Sequence, residues 1–176
     1  QDGYKIYLEI LGGGYGASTH SDGCDAVDSP LSNCSNVPIE AMDMEYDYFR
    51  VEDYSLVADS GGAGRYRGGL GFQRRYHILA DNVTFATYSD RFRLAPEGLF
   101  GGADGVCAST KVLRGDQVIE LASKVSFPLQ KGDILVAQTG GGAGYGEPGE
   151  RAAADVERDL REGFTSQAGL QAEAAE

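Results

Sequence analysis

The sequence predicts a mainly β fold, a sandwich or a barrel with glycine-rich loops, followed by one C-terminal α-helix. Three observations support this prediction. Many short segments alternate apolar and polar residues, four glycine clusters stand at the ends of apolar runs, and the tail has a helical spacing of apolar residues. We therefore expect a glycine-rich β domain over residues 1–149, and a C-terminal helix and tail over residues 150–176.

The first predicted strand covers residues 4–10. One face of this segment would carry the apolar residues Tyr4, Ile6, Leu8 and Ile10. Alternation of this kind is typical of a strand with one buried face. A polar stretch over residues 17–38 follows, and a loop of this length is usually functional or poorly ordered.

The remaining strands are predicted from short apolar runs bounded by turn residues. Gly115 and Asp116 separate two of these runs and predict a hairpin. The predicted strands cover residues 54–58, 72–79, 83–88, 111–113, 118–121, 125–129 and 134–138.

The helix is predicted over residues 150–163. Ala152, Val156 and Leu160 recur at intervals of four and would form one apolar stripe. Gly163 is a typical residue just beyond the end of a helix. Residues 165–176 are expected to form a short helix or to fray.

Glycine accounts for 26 of the 176 residues and is concentrated in residues 12–16, 60–71, 100–105 and 139–148. Glycine is favoured where one backbone must lie directly against another backbone or a ligand. Residues 144–149 match the dinucleotide-binding pattern of glycines, but the second parallel strand that such a site needs is absent. No cluster ends in the Gly-Lys-Ser or Gly-Lys-Thr of a phosphate-binding loop.

The formal net charge of −12 disfavours nucleic acids and anionic membranes as partners. No apolar run reaches the roughly 18 residues of a membrane span. Cys24, Cys34 and Cys107 are predicted to be free thiols in the cytoplasm, with a Cys24–Cys34 bridge as the alternative.

Four residues of the polar loop carry chemistry that suits a hard divalent cation such as Mg²⁺, Mn²⁺ or Ca²⁺: His20, Asp22, Asp25 and Asp28. The same residues could instead contact substrate or a neighbouring subunit, or simply form turns. His20 and Asp22 are the candidates for a metal ligand.

The basic residues of this acidic chain are densest in one region: Arg65, Arg67, Arg74, Arg75, Arg91 and Arg93. Arg67 lies between glycines and could bind a carboxylate or a phosphate through its guanidinium group. The alternative is a structural ion pair, for example Arg67 with Asp59 or Arg91 with Asp90.

Several segments resemble, in order along the chain, the C-terminal part of the hydantoinase B/5-oxoprolinase family. The most specific is Arg-Tyr-Arg-Gly-Gly-Leu-Gly at residues 65–71. The matching segments cover residues 22–25, 36–40, 59–71, 89–91, 96–102 and 140–148, and the terminal helix is also similar.

The resemblance implies a subunit or C-terminal domain of an ATP-dependent enzyme that hydrolyses cyclic amides such as hydantoins, 5-oxoproline or lactams. It implies an A-type partner subunit that binds ATP with Mg²⁺ and activates the substrate oxygen. Hetero-oligomeric assembly is expected, with the rest of the B-type polypeptide and with any divalent metal elsewhere in the complex. Because members of the family are several times longer, the chain is expected to be a fragment, a processed piece or a small subunit of a split enzyme, inactive alone.

Two alternatives remain open at this point: a subunit of an ATP-dependent ketone carboxylase, and a non-catalytic structural subunit. The candidate catalytic residues, chosen by their chemistry within the matching segments, are Asp22, Asp25, Arg67 and Arg91.

Overall fold

The computed structural model describes residues 5–28 and 37–173, and only the backbone of residues 171–173. Tyr4, Cys34 and residues 174–176 lie outside this part of the chain. Cys24 and Cys107 are free thiols. No helix in the described part has the length and apolar character needed to cross a membrane.

The chain is mainly β, as predicted, and its strands form two antiparallel sheets. The larger sheet contains, in spatial order, β1 (Phe49–Leu56), β2 (Phe72–Ile78), β7 (Ile134–Gln138), β4 (Ser109–Arg114) and β5 (Gln117–Glu120). The smaller sheet pairs β3 (Val83–Tyr88) with β6 (Lys124–Leu129). Neither sheet of the described residues closes into a barrel.

One apolar core joins the two sheets. Val112 of β4 and Leu135 of β7 lie in the same buried cluster as Leu129 of β6. Helix α1 (Ile39–Glu45) adds Met42, which is fully buried in this cluster. Burial alternates along β2, which directs every second side chain into the interior.

The strand predicted over residues 4–10 is wrong, because residues 5–10 belong to neither sheet. The predicted apolar face points outward, since Ile6, Leu8 and Ile10 are 68%, 86% and 57% exposed. Tyr7 and Glu9 face inward instead. Tyr7 packs against aromatic rings, and Glu9 forms an ion pair with a buried arginine. Alternation alone does not decide which of the two faces is buried.

Two further differences concern residues 39–58. Helix α1 was not predicted, since its acidic sequence has a single buried residue to indicate a helix. Strand β1 begins at Phe49, five residues before the predicted strand, and ends at Leu56. The other predicted strands and the hairpin at Gly115 are confirmed to within about two residues.

The glycine clusters form the part of the fold that we call the glycine lattice, residues 12–16, 60–71, 98–106 and 139–146. These segments are joined by backbone hydrogen bonds. The N–H of Gly142 donates to the carbonyl of Gly69 at 2.8 Å, and the N–H of Gly62 donates to the carbonyl of Gly142 at 2.8 Å. A Cβ on Gly142 would stand 1.8 Å from the carbonyl oxygen of Tyr15. The close backbone approach expected from the glycine content is therefore present.

The C-terminal helix is confirmed as α2 (Ala153–Glu162), and it is preceded by a 3₁₀ turn at Pro148–Glu150. Gly163 adopts the left-handed conformation with φ of +73° and ends the helix. A short helix α3 (Gln167–Glu173) follows. The division into domains at residue 149 stays a prediction, and several ion pairs cross it.

Candidate functional site

Three of the four candidate catalytic residues lie together in what we call the ionic cluster: Asp22, Asp25, Arg67, Arg151 and Asp159. Asp22 and Asp25 come from the polar loop, Arg67 from the glycine lattice, and the other two from the C-terminal region. Arg67 and Asp159 are buried, with 6% and 2% of their surface exposed. The cluster therefore ties three distant parts of the chain together.

Asp22 is the centre of this cluster. Its two carboxylate oxygens accept hydrogen bonds from Arg151 at 2.7 and 2.8 Å, and the N–H of Arg67 donates to it at 2.8 Å. Arg158 adds a further contact at 3.1 Å. Burial acts to raise the pKa of Asp22, but the Arg151 and Arg67 hydrogen bonds and charges outweigh it and hold that pKa below its usual range.

Arg67 is paired within the cluster. Its Nη1 donates to Asp25 Oδ1 at 3.1 Å, and its Nε lies 3.6 Å from Asp159 Oδ2. Asp25 also accepts a hydrogen bond from the N–H of Leu70 at 2.7 Å. The alternative pair of Arg67 with Asp59 is not formed. Arg67 contacts Asp25 and Asp159 instead, and Asp59 accepts a hydrogen bond from the N–H of Ser166. The structural ion pair is thus formed with different carboxylates.

His20 is exposed in a turn that is held together by Ser18 and Ser21. Within residues 5–28 and 37–173, no group of three or more His, Cys, Asp or Glu residues is placed to hold a metal ion. The oxygens of Asp22 are directed at guanidinium groups. A metal at His20 and Asp22 stays a prediction.

The fourth candidate, Arg91, lies elsewhere, in a cleft with a volume of about 470 Å³. Its lining combines residues 13–16 and 139–142 of the glycine lattice with residues 89–91 and Pro96. The lining residues include Gly13, Gly14, Gly16, Ser89, Asp90, Arg91, Pro96, Thr139, Gly140 and Gly142. Seven of the 14 lining residues, at positions 89–91, 96 and 140–142, belong to the segments that carry the family resemblance.

Arg91 is exposed and adopts the left-handed conformation with φ of +60°. Its carbonyl accepts a hydrogen bond from the N–H of Ala108 at 2.8 Å, which holds the backbone in place. The guanidinium group forms no ion pair within the described residues, with Asp90 or with any other carboxylate. Left-handed backbone at a residue other than glycine is costly and is concentrated at functional sites.

The cleft offers hydrogen-bond donors around an open space. The N–H groups of Gly16 and Gly140 donate no hydrogen bond to any described residue, and Arg91 adds a cation to the same lining. Donors fixed in position before the reaction can stabilise negative charge that develops on an oxygen.

The structure also contains a buried arginine that the sequence did not identify as structural. Arg74 is fully buried, donates to Glu9 at 2.5 Å and stacks over the ring of Tyr54 at 4.1 Å. Nearby, burial raises the pKa of Tyr76 to about 12. The sequence signal that could have identified Arg74 as buried is the regular alternation of β2. Arg74 shares the inward face of that strand with Phe72 and Tyr76.

Comparisons with known proteins identify related sequences over most of this chain. Residues 1–148 match the family described as hydantoinase B/oxoprolinase. An uncharacterized protein of Methanocaldococcus jannaschii is 39% identical over 149 residues, which cover 85% of this chain and 26% of that protein. The putative B-type component of a D-/L-hydantoinase from a Pseudomonas species is 34% identical over 166 residues, covering 93% and 28%.

The fold is also shared with a solved structure. The ATP-dependent caprolactamase from Pseudomonas jessenii superposes with a TM-score of 0.78 and 26% identity, over 92% of this chain and 29% of that one. The chain thus spans between 26% and 29% of the length of these three proteins. Because the family match covers most of the sequence, the chain belongs to the hydantoinase B/oxoprolinase family.

Proposed function

We propose that this chain is part of an ATP-dependent enzyme that hydrolyses cyclic amides such as hydantoins, 5-oxoproline or lactams. It would work in the cytoplasm with the rest of a B-type polypeptide and an ATP-binding A-type subunit. The named relatives support this proposal, since they include a putative hydantoinase component of the B type and an ATP-dependent caprolactamase.

The observation that carries the proposal is the convergence of three of the six matching segments on one cleft. Residues 89–91, 96–102 and 140–148 are separate in the sequence, and each contributes to its lining. A cyclic amide with a few ring atoms would fit a volume of about 470 Å³. Arg91 and the free N–H of Gly140 would stabilise negative charge on the substrate oxygen as the amide is attacked.

Asp22, Asp25 and Arg67 would act as positioning residues. The N–H of Gly23, next to Asp22, donates to the Arg67 carbonyl at 2.8 Å, and the N–H of Gly69 donates to the Tyr15 carbonyl at 2.7 Å. Tyr15 lines the cleft. The ionic cluster would therefore hold the loop that forms one wall of the cleft, without contact with substrate.

ATP with Mg²⁺ would bind to the A-type partner. The cleft does not fit ATP, since Arg91 is the only basic residue among the described residues that line it. A triphosphate is bound by several cations or a phosphate-binding loop, and the sequence has no such loop. Apart from the predicted ligands His20 and Asp22, the residues that hold any divalent metal would lie elsewhere in the complex.

The test is Arg91→Gln in the family-length polypeptide that carries this chain, assayed with its A-type partner, ATP and a panel of cyclic amides. We expect kcat to fall by about 100-fold or more, as for loss of one preorganised donor. Arg93→Gln is the matched control, since Arg93 is also exposed but does not line the cleft.

The same assay separates the alternatives. Turnover of a ketone only in the presence of bicarbonate would establish the carboxylase. Full activity of both variants, in an assembly that requires this chain, would contradict the proposed role of the cleft and favour a structural subunit.

A further inference from the structure

The segment after the cleft ends in a rigid turn with an exposed aromatic side chain at its tip. We propose that Leu99 and Phe100 anchor the A-type subunit, by inserting into an apolar pocket that is rimmed by basic side chains. This inference rests on the proposed function, and it names the surface through which the two subunits would meet.

The turn has a defined geometry. Phe100 and Gly101 both have positive φ, +54° and +89°, and the N–H of Gly102 donates to the Leu99 carbonyl at 3.1 Å. Positive φ at both central positions is the signature of a type I′ turn, where asparagine, aspartate and glycine are favoured. A phenylalanine in this conformation is a strained exception.

The turn is also held rigidly. The N–H of Leu99 donates to the Gly144 carbonyl at 3.1 Å, and the Leu99 carbonyl accepts from Gly146 at 2.9 Å. At the base of the loop, the N–H of Gly98 donates to Asp104 Oδ1 at 2.8 Å. The strained conformation is therefore enforced by its surroundings, which is how such residues persist at functional positions.

Phe100 contributes little to the interior. It is 74% exposed, Leu99 beside it is 55% exposed, and the ring contact of Phe100 within the described residues is with Tyr145. A favoured turn residue would form the same turn without strain. A rigid, exposed aromatic residue is instead the kind of side chain that dominates the energy of an interface once a partner covers it.

Charge and position indicate the partner. Glu97, Asp104 and Glu147 are exposed around the turn and form no ion pair within residues 5–28 and 37–173. They would complement a basic rim. The loop begins at Pro96, which lines the cleft. An A-type subunit that delivers an activated substrate to the cleft would lie against this mouth, and we therefore assign the turn to that subunit.

The variant Phe100→Asn tests the proposal, because asparagine tolerates positive φ and replaces the apolar ring with a small polar amide. The family-length polypeptide that carries this chain would be titrated with the purified A-type subunit. We expect the Kd to rise by about 30-fold or more, the effect of removing an aromatic hot spot. The unfolding midpoint of the variant alone should be unchanged or higher, since the strain is relieved.

Tyr88→Asn is the control, since Tyr88 is an aromatic residue of similar exposure, 77%, on the smaller sheet. Its Kd should stay within about twofold of the parent protein. An unchanged Kd for Phe100→Asn would overturn the anchor while leaving the proposed function intact. A lowered unfolding midpoint would overturn it too, because the rest of the B-type polypeptide would then cover the turn. Failure of the parent polypeptide to bind the A-type subunit would refute both proposals.

Discussion

Replacing Gly142 by alanine should destabilise the protein far more than the same change at Gly16, although both residues line the cleft. A Cβ on Gly142 would lie 1.8 Å from the Tyr15 carbonyl oxygen, about 1.6 Å closer than ordinary van der Waals contact allows. The atoms in the way are backbone atoms of the lattice, so no side chain can rotate aside. Overpacking costs about 1–3 kcal/mol, and each of the two 2.8 Å backbone hydrogen bonds of Gly142 contributes about 1 kcal/mol. We expect a loss of about 3–5 kcal/mol, a large part of the stability of an ordinary domain.

Gly16→Ala is the matched control. Its Cβ would meet nothing closer than the Ala143 carbonyl oxygen at 3.9 Å. The free energy of unfolding should therefore change by no more than about 0.5 kcal/mol. Urea denaturation followed by circular dichroism measures both variants against the parent protein. Similar losses for the two variants, or none for Gly142→Ala, would refute the view that the lattice depends on direct backbone contact.

Two further predictions concern buried charges. Asp159→Asn should lower the free energy of unfolding by about 2–3 kcal/mol, because it removes the buried carboxylate that Arg67 and Arg151 share, although Asp25 and Asp22 remain as their partners. Asp155→Asn, at a more exposed ion pair, should cost less than about 1 kcal/mol in the same urea titration. Hydrogen bonds from arginine help to hold the pKa values of Asp22 and Asp133 below their usual range. Such groups stabilise the folded state above the unfolded pKa of about 3.9 and lose that contribution as the pH falls. The urea concentration at the unfolding midpoint should therefore drop between pH 5 and pH 3. The drop should be smaller in Asp22→Asn. An equal drop in that variant would contradict the contribution of the ionised Asp22 carboxylate to stability.

The elements that could be predicted are those whose local pattern and packing agree. Strands β3 and β7 combine apolar residues with bounding turn residues, and helix α2 has an apolar stripe and a terminal glycine. Residues 5–10 show the limit, since their alternation is real but the polar face is buried. The polar face of this segment is turned inward because the buried Arg74 needs the carboxylate of Glu9 as its partner.

The ionic cluster could be anticipated only in part. Asp22, Asp25 and Arg67 were identified by residue type, but their partner Arg151 is 129 residues away from Asp22 in the sequence. Ion pairs at such a separation leave no periodic signal. The cleft could not be predicted from the sequence either. It forms where glycine segments that are separate in the sequence meet, whereas patterns in a single sequence report only local spacing.

The arginines of this acidic chain separate into groups that bear on function. Arg67, Arg74 and Arg151 are largely buried, and each is held by carboxylates of the same chain. Burial of a charge is tolerated only with such pairing, so these groups are not free to bind a ligand. Arg91 differs in both respects, since it is exposed and has no carboxylate partner within the described residues, although the chain carries a net charge of −12. A left-handed backbone holds it at a glycine-walled cleft. A guanidinium group kept free at such a place in an acidic protein is available to an anionic or polar ligand, and this makes Arg91 the residue whose replacement discriminates most sharply between a catalytic and a purely structural chain.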